Sequence, residues 1–116
     1  GPNDGGVDIR SSICAQFNDI PLAFQCKNWD DQIGPHVVRE LRGVVCEERP
    51  GTIGILVGPC VEDFSSDAVD TARTSSYPII LTDKSHLPII LLNLAIDISL
   101  RRPFDFSFYY DLITNH

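Results

Sequence analysis

Two apolar runs constrain the fold of this 116-residue chain more than any other feature. The first is IGILVG, residues 53–58, and the second lies within YPIILTD, residues 77–83, which becomes polar at Thr82 and Asp83. An uninterrupted apolar run of this length is typical of a strand that is buried on both faces, as in a parallel sheet. The chain is therefore expected to form an α/β domain in which helices cover both faces of a sheet.

A helix is predicted between these two runs. The segment DFSSDAVDTARTSS offers Ser65 or Ser66 as the helix cap, and it places Ala68, Val69 and Ala72 where they face the sheet. A strand, a helix and a second parallel strand form a crossover unit, which is almost always right-handed. This unit is the centre of the predicted fold.

The flanking segments complete the predicted order. Residues 6–18 and 22–29 have strand character, and the turn-type sequence NDIP between them predicts an antiparallel hairpin. After Gly34 and Pro35, apolar residues at helical spacing predict an amphipathic helix that ends near Cys46; these residues are Val37, Val38, Leu41, Val44 and Val45. A further helix is expected from Ser85 to about Leu100. The order is β-β-α-β-α-β-α on a mixed sheet.

The C-terminal segment RRPFDFSFYYDLITNH is harder to assign. We interpret residues 101–116 as an aromatic extension to a core of residues 3–100. If the extension is a strand, Phe104, Phe106 and Phe108 share one face. Packing in the core or on a partner is the main interpretation, and base stacking on single-stranded nucleic acid is the alternative.

The stretch AFQCKNW, residues 23–29, carries an amide and a cation within a strand pattern. Successive strand residues point to opposite faces, so the two faces are Leu22, Phe24 and Cys26 and, opposite them, Ala23, Gln25 and Lys27. The first face is expected in the core. The second makes a shallow polar floor, with the Cα atoms of Gln25 and Lys27 roughly 6.5–7 Å apart. A half-exposed surface with a solvated Lys27 is one interpretation.

A metal site is the other interpretation. If the predicted hairpin closes, Asp8 lies beside Gln25 and Lys27. Mg²⁺ prefers oxygen ligands and often takes only one or two carboxylates, with water and phosphate completing its shell. The candidate ligands are Asp8, the side-chain oxygen of Gln25 and the backbone carbonyl of Cys26. Lys27 would then orient the attacking water or stabilise charge on a phosphate.

Five motifs follow one another over residues 3–95: NDGGVDI, FQCKNW, IGPHVVRELRGVV, GTIGILVGP with FSSDAVDTA, and IILTDKSHL. In this order they resemble the Mrr-like restriction endonucleases of the PD-(D/E)XK nuclease superfamily. The resemblance implies a DNA endonuclease that depends on Mg²⁺ or Mn²⁺. It implies that Asp8 binds the metal, that Gln25 occupies a position that is Glu or Gln, and that Lys27 is the catalytic lysine. Further matches are Leu41, Gly43, Phe64, Ser65 and Ala68.

The sequence also departs from that family. The family core usually begins with a helix that often supplies an acidic residue to the site, and no such helix precedes Asp8 in this sequence. We therefore expect a fragment, a second chain that supplies the missing part, or lost activity. A homodimer is the expected assembly. The alternative function is a catalytically inactive nuclease-fold module that binds DNA or dimerises.

The charge balance bears on the DNA partner. Nine Lys and Arg against sixteen Asp and Glu give a net charge of −7, which does not attract polyanions. DNA binding then needs local basic residues. Arg39 and Arg42 are the candidates because residues three apart on a helix project near one another. A solvated helix face that includes Glu40 explains them equally well.

The remaining reactive residues give weaker signals. The four cysteines, Cys14, Cys26, Cys46 and Cys60, are widely spaced without a CxxC pair, and Cys26 and Cys46 lie where apolar residues are expected. Four reduced thiols in an intracellular protein, cytoplasmic or nuclear, is the main interpretation; a disulfide framework or zinc site is the lesser one. The apolar run of residues 88–96 is too short to span a bilayer, so no membrane association is expected.

Overall fold

The computed structural model describes residues 9–14, 18–28 and 31–114 of the chain. Four strands form one sheet: β1 (Ile9–Cys14), β2 (Asp19–Cys26), β3 (Ile53–Gly58) and β4 (Ile79–Asp83). Their spatial order is β1-β2-β3-β4. β1 is antiparallel to β2, whereas β2, β3 and β4 are parallel to one another. The predicted hairpin and mixed sheet are confirmed.

Helices follow the strands in the predicted order. They are α1 (Pro35–Glu47), α2 (Ser66–Arg73), α3 (Leu87–Ser99) and α4 (Phe106–Thr114), and a short 3-10 turn at Val61–Asp63 precedes α2. The order β-β-α-β-α-β-α is confirmed, with α4 added after it. Within the described ranges, no helix combines the length and the apolar character needed to cross a membrane.

Alternating residues of the central strand enter two different cores. Leu56 of β3 belongs to a cluster built with α1 and α2, and Ile55 and Val57 belong to a cluster on the other face with α3. All six residues of β3 and all five of β4 are buried. This burial confirms the interpretation of both apolar runs, because helices cover both faces of the sheet.

α1 packs tightly on β3 at Gly54. A Cβ atom on Gly54 would lie 2.8 Å from Cγ2 of Val45 and 2.9 Å from Cδ1 of Ile79. A glycine is needed at this position because any larger side chain would push the helix away. The buried residues of α1 are Val37, Val38, Leu41 and Val45, as predicted, and Val44 is half-buried.

α2 begins at a serine cap. The Oγ atom of Ser65 accepts a hydrogen bond of 3.0 Å from the backbone N–H of Ala68. Such a cap satisfies one of the N–H groups that the first turn of a helix leaves without a partner. Ala68, Val69 and Ala72 are buried. The predicted helix, its cap and its buried face are all confirmed.

The turn predicted at residues 18–21 is wrong. Asp19, Ile20 and Pro21 belong to β2, where Asp19 pairs with Cys14 and Pro21 pairs with Ser12. Pairing with β3 starts only at Leu22. At Pro21 the strand therefore has a neighbour on one side only, which is where a sheet tolerates a residue that lacks an N–H donor.

The aromatic extension is a helix and not a strand. Asp105 starts it by accepting a hydrogen bond of 3.1 Å from the backbone N–H of Ser107. Tyr109, Tyr110 and Ile113 are buried, which is a helical spacing. The hydroxyl of Tyr110 donates a hydrogen bond of 2.6 Å to the carbonyl of Ile79, so α4 covers the outer edge of β4. The expectation that the segment packs in the core is confirmed.

Candidate active site at the carboxyl edge of the sheet

Gln25 and Lys27 lie where β2 ends, beside the carboxyl end of β3. Gln25 pairs with Leu56, and the backbone N–H of Lys27 donates to the carbonyl of Val57 at 2.9 Å. The parallel ladder thus continues one residue past β2. Ala23 pairs with Gly54, the residue against which α1 packs, so Ala23, Gln25 and Lys27 all project to the α1 side of the sheet.

Both side chains are buried. Gln25 is 1% exposed and Lys27 is 6% exposed, and Ala23 beside them is fully buried. The expectation of a shallow, half-exposed floor with a solvated Lys27 is wrong. The two side chains lie on the side of the sheet that faces α1, and this side is buried along β2 as well as along β3. A buried amide and a buried ammonium, side by side, form the polar floor of the carboxyl edge.

The opposite face of β2 also differs from the expectation. Phe24 is only half-buried and Cys26 is exposed, although Leu22 is buried as predicted. All four cysteines are exposed and none of them forms a disulfide, so the placement of Cys26 and Cys46 at core positions is wrong. Cys26 lies at the very end of its strand, and Cys46 lies in the last turn of α1.

The third predicted member of the site, Asp8, lies outside the described residues. It directly precedes Ile9, the first residue of β1, and Ile9 pairs with Phe24. Within residues 9–14, 18–28 and 31–114, no group of three or more His, Cys, Asp or Glu side chains is arranged to hold a metal ion. A metal site that includes Asp8 therefore stays a prediction.

Two loops meet above the end of β3. Ile33 donates its backbone N–H to the carbonyl of Asp63 at 2.7 Å, and its own carbonyl accepts from Ser65 at 2.9 Å. The side chains of Ile33 and Phe64 close over Gly58, where a Cβ atom would lie 2.9 Å from Cδ1 of Ile33. This apolar cover shields the end of β3 from water.

Asp83 ends β4 on the other side of Gly58, with which it pairs. Its carboxylate accepts hydrogen bonds from the backbone N–H of Val61 at 2.9 Å, from the Ser85 hydroxyl at 2.8 Å and from the backbone N–H of His86 at 3.0 Å. The imidazole Nδ1 of His86 lies 2.7 Å from the same carboxylate. Burial acts to raise the pKa of Asp83, but these partners outweigh burial and hold the pKa at about 2.

Three helices begin at this same edge. Because α1, α2 and α3 each follow a parallel strand, their N-termini lie at the carboxyl edge of the sheet. The N-terminus of a helix carries partial positive charge. These N-termini place partial positive charge at the edge that also carries the Asp83 carboxylate.

The two candidate DNA-contacting arginines lie on the outer side of α1. Arg39 is exposed and Arg42 is half-buried, whereas Val38 and Leu41 beside them are buried. The helical face assigned to the two arginines is therefore confirmed. Their contact with DNA stays a prediction.

Cys60 lies on the loop after β3, but its surroundings oppose a nucleophilic role. Its thiol donates a hydrogen bond to the Glu62 carboxylate. This hydrogen bond raises the pKa of the Cys60 thiol. Since the thiolate is the nucleophile, the neighbouring carboxylate keeps Cys60 in its unreactive form.

Residues 1–90 of the chain match the family Mrr_cat, whose members are described as restriction endonucleases. The chain belongs to this family. The match includes the positions of Asp8, Gln25 and Lys27, and it confirms the resemblance drawn from the five sequence motifs. Helix α4 lies beyond the matched residues.

Two proteins that resemble this Mrr_cat domain, one in sequence and one in fold, are informative. An uncharacterized mitochondrial protein of Schizosaccharomyces pombe is 33% identical over 84 residues, which are 70% of this chain and 33% of that protein. The solved structure of the MspJI restriction endonuclease, in complex with a 27-mer oligonucleotide, matches 98% of this chain with a TM-score of 0.53 and 20% identity. The chain spans only 25% of the MspJI chain. The match in fold over nearly the whole of this chain confirms the restriction-endonuclease fold.

Proposed function

We propose that this domain is a metal-dependent endonuclease that hydrolyses DNA phosphodiester bonds. Asp8 and Gln25 hold Mg²⁺ or Mn²⁺ together with the Cys26 carbonyl, and Lys27 assists the attack of water. The observation that carries the proposal is the burial of Gln25 and Lys27 next to each other at the carboxyl edge of an Mrr_cat fold.

The burial of Lys27 supports a chemical role. Lysine is almost never buried unless an anionic group accompanies it, because removing an ammonium from water is costly. Lys27 is 6% exposed, so its ammonium group has been largely removed from water. The phosphate of a nucleic-acid backbone and the water that attacks it both develop negative charge during hydrolysis, and a fixed ammonium stabilises this charge.

The donor set at the site fits a divalent metal with oxygen ligands. Gln25 offers a buried neutral amide oxygen, and Asp8 offers a carboxylate. When bound, such a metal lowers the pKa of a water molecule and polarises a phosphate oxygen. Because Gln25 brings no charge, Asp8 and the substrate phosphate must supply the negative charge that neutralises the metal.

The DNA partner is supported by the fold relative and by the charge pattern. MspJI was solved with an oligonucleotide. In this chain, Arg39 and Arg42 project from α1, which begins at the edge that holds Gln25 and Lys27. We propose that these two arginines contact the phosphate backbone.

An inactive nuclease-fold module is the second candidate. The observation that favours it is the combination of a net charge of −7 with an amide at Gln25 where a carboxylate would hold a metal more tightly. Such a module would keep the fold and bind DNA without cutting it.

Nicking of supercoiled plasmid with Mg²⁺ or Mn²⁺ separates these functions. Lys27→Met removes the ammonium but keeps an aliphatic side chain in the buried position, so the fold should be retained. Lys84→Met is the matched control, since Lys84 is exposed just beyond β4. We expect the wild type and Lys84→Met to nick equally, Lys27→Met to lose about 10²-fold or more, and EDTA to stop the reaction.

Two other results would decide against the endonuclease. Equal nicking by Lys27→Met would show that the ammonium has no part in the chemistry. A folded wild type that retards the migration of plasmid in a gel-shift assay, but does not cut it with either metal, would establish the binding module instead.

A further inference from the structure

A cavity of about 350 Å³ lies between the C-terminal end of α3 and the start of α4. We call it the α3–α4 cavity, and the lining residues that give it its chemistry are Asn93, Asp97, Arg102, Asp105, Phe108 and Tyr109. Its volume is in the range of ligand pockets in proteins. Asp97 lies roughly 15 Å along α3 from Leu87, where the helix begins. The cavity is therefore separate from the candidate active site at the carboxyl edge of the sheet.

The end of α3 builds the acidic wall of the cavity. Asp97 is only 9% exposed although it carries a carboxylate. Its Oδ1 atom accepts a hydrogen bond of 2.5 Å from Nε of Arg102, and its backbone carbonyl accepts one of 3.0 Å from the backbone N–H of Arg102. The chain reaches this geometry through Arg101, whose φ of 54° lies in the left-handed region that favours glycine. A strained turn thus holds Arg102 against Asp97.

Three side chains of the cavity use only part of their capacity to accept hydrogen bonds. Within the described residues, Asp97 accepts through Oδ1 alone, and Asp105 accepts through its own Oδ1 from the backbone N–H and the hydroxyl of Ser107. Asn93 donates through Nδ2 to the carbonyl of Ile89 at 2.7 Å, which leaves its side-chain oxygen to accept. The lining of the cavity therefore offers three further acceptor oxygens.

Tyr109 points to a ligand. It is 1% exposed and lines the cavity, and its ring contacts Phe106 and Phe108 at centroid distances of 5.9 and 5.2 Å. In the part of the chain that the structure describes, no group hydrogen-bonds to the Tyr109 hydroxyl, whereas the hydroxyl of Tyr110 donates to the carbonyl of Ile79. Because removing a hydroxyl from water without a partner is costly, a ligand that bonds to it in the cavity would be stabilised.

The charges around this hydroxyl favour a cation. Burial first, and then the negative charges of Asp97 and Asp105, raise the pKa of Tyr109 to about 12, so both carboxylates act on the hydroxyl. Among the described residues that line the cavity, Arg102 is the one cation that opposes these two carboxylates. The net charge of −7 attracts cations to the chain as a whole. The ring of Phe108 adds an aromatic surface, which favours both a cation and an alkyl chain.

We propose that the α3–α4 cavity binds a small primary alkylammonium ion. An ammonium group donates three hydrogen bonds, which match the unused carboxylate oxygens of Asp97 and Asp105 and the hydroxyl of Tyr109. The short alkyl chain lies against Phe108. A quaternary ammonium ion has no N–H donor and an alcohol has no charge, so neither substitutes for the primary amine. The site is independent of the nuclease activity proposed for the carboxyl edge.

An NMR titration of the 116-residue chain with butylammonium chloride tests the site. We expect saturable shifts of the backbone amide signals of Asn93, of residues 97–102 and of Phe108. Tetramethylammonium chloride and butanol, titrated separately, should give no saturable shifts at these residues. The first probe has the charge without the N–H donors, and the second has the alkyl chain without the charge.

Two conservative substitutions test the assigned contacts. Tyr109→Phe removes only a hydroxyl that has no protein partner within the described ranges, and Asp105→Asn removes the charge but keeps a side-chain oxygen that caps α4. Both variants should therefore keep the wild-type melting temperature, and each should weaken butylammonium binding by about tenfold or more, because each loses a contact to a charged group. Asp111→Asn is the matched control, since Asp111 is exposed on the same helix and lies outside the lining of the cavity.

Three results would overturn the amine site. The first is a wild type without saturable shifts at these residues, up to the highest butylammonium concentration at which the chain stays folded. The second is an equal response to tetramethylammonium, which would show that any cation gathers at an acidic surface. The third is wild-type affinity for butylammonium in both Tyr109→Phe and Asp105→Asn.

Discussion

The carboxylate of Asp83 accepts a hydrogen bond of 2.9 Å from the backbone N–H of Val61, so the end of β4 fixes the loop that follows β3. The other oxygen of the carboxylate accepts from Ser85 and from the backbone of His86, and it contacts the imidazole of His86. One side chain therefore orders two of the loops at the carboxyl edge. We therefore expect substitution of Asp83 to lower the stability of the fold.

Replacing Asp83 with Asn keeps the shape of the side chain but removes its charge. Hydrogen bonds to a charged group contribute about 1.5–3 kcal/mol, so we expect Asp83→Asn to lower the free energy of unfolding by about that amount at pH 7. Urea denaturation followed by circular dichroism measures the change. Asp111→Asn, at an exposed position on α4, should change stability little.

The stability difference between wild type and Asp83→Asn should depend on pH. The pKa of Asp83 is lowered from 3.8 to about 2 in the folded protein, so the unfolded chain takes up the proton first as the pH falls. The stability that the carboxylate contributes is complete above about pH 4 and is lost as the pH falls through about 2. The difference between wild type and Asp83→Asn should therefore shrink over this range. A constant difference would contradict the assigned hydrogen bonds.

Gly54→Ala and Gly43→Ala should change stability in opposite directions. A methyl group on Gly54 would meet Val45 and Ile79, at 2.8 and 2.9 Å, and overpacking of this kind costs about 1–3 kcal/mol. Gly43 lies in the middle of α1 with no atom within 4 Å of its added methyl group. There the helix should gain about 0.5–1 kcal/mol, because alanine loses less backbone entropy. Chemical denaturation measures the change in the free energy of unfolding for each variant. Destabilisation by Gly43→Ala would show that α1 is packed differently.

Tyr110→Phe should weaken the attachment of α4 to the sheet. The substitution leaves the buried carbonyl of Ile79 without its hydroxyl donor, which costs about 1–3 kcal/mol. Burial raises the pKa of Tyr110 to about 12, against a smaller opposing effect of Arg73. The unfolded chain therefore loses this proton first, and stability falls as the pH rises from about 10 to about 12.

Denaturation of wild type and Tyr110→Phe between pH 7 and pH 12 would measure this alkaline loss. The variant should show a smaller loss than the wild type. Some loss should remain, because burial also raises the pKa of Tyr109 to about 12. Tyr77→Phe, at an exposed position, is the control and should follow the wild type. An unchanged alkaline loss in Tyr110→Phe would contradict the buried hydroxyl.

If DNA is the substrate, Arg39→Ala and Arg42→Ala should weaken binding to all sequences alike. Each lost phosphate contact should make the slope of log K against log salt concentration shallower by about 1. Fluorescence anisotropy with a labelled duplex, measured at several salt concentrations, gives this slope. Arg49→Ala is the matched control, because Arg49 is exposed beyond the far end of α1 and pairs with Asp19 at the start of β2. An equal effect of Arg49→Ala would place the DNA elsewhere.

The sheet was predictable from sequence because β3 is apolar throughout and β4 is apolar until its last two residues, Thr82 and Asp83. Such runs can only be buried on both faces, and this requirement fixes the helices around them. The polar floor was less accessible to prediction. Strand alternation assigns Gln25 and Lys27 to one face, but it does not say which face a helix will cover. The burial of Lys27 is a property of the packed domain and not of the strand pattern.

The extension and Asp83 show two further limits. The alternation of Phe104, Phe106 and Phe108 indicated a strand, yet Phe106, Tyr109, Tyr110 and Ile113 already had helical spacing in the sequence. The signal was present, and the competing period of two obscured it. Asp83 was visible only as the end of an apolar run. Its bond to Val61 spans 22 residues, and no local pattern predicts a contact of that range.

The order of the strands in the sheet is the same as their order along the chain. On a ribosome, each strand after the first emerges beside a neighbour that has already been made, so the sheet can grow during synthesis. The interior is completed only by α4, the last of the described elements, which supplies Tyr109, Tyr110 and Ile113. Until α4 leaves the exit tunnel, the nascent domain presents an uncovered edge at β4 and an incomplete interior.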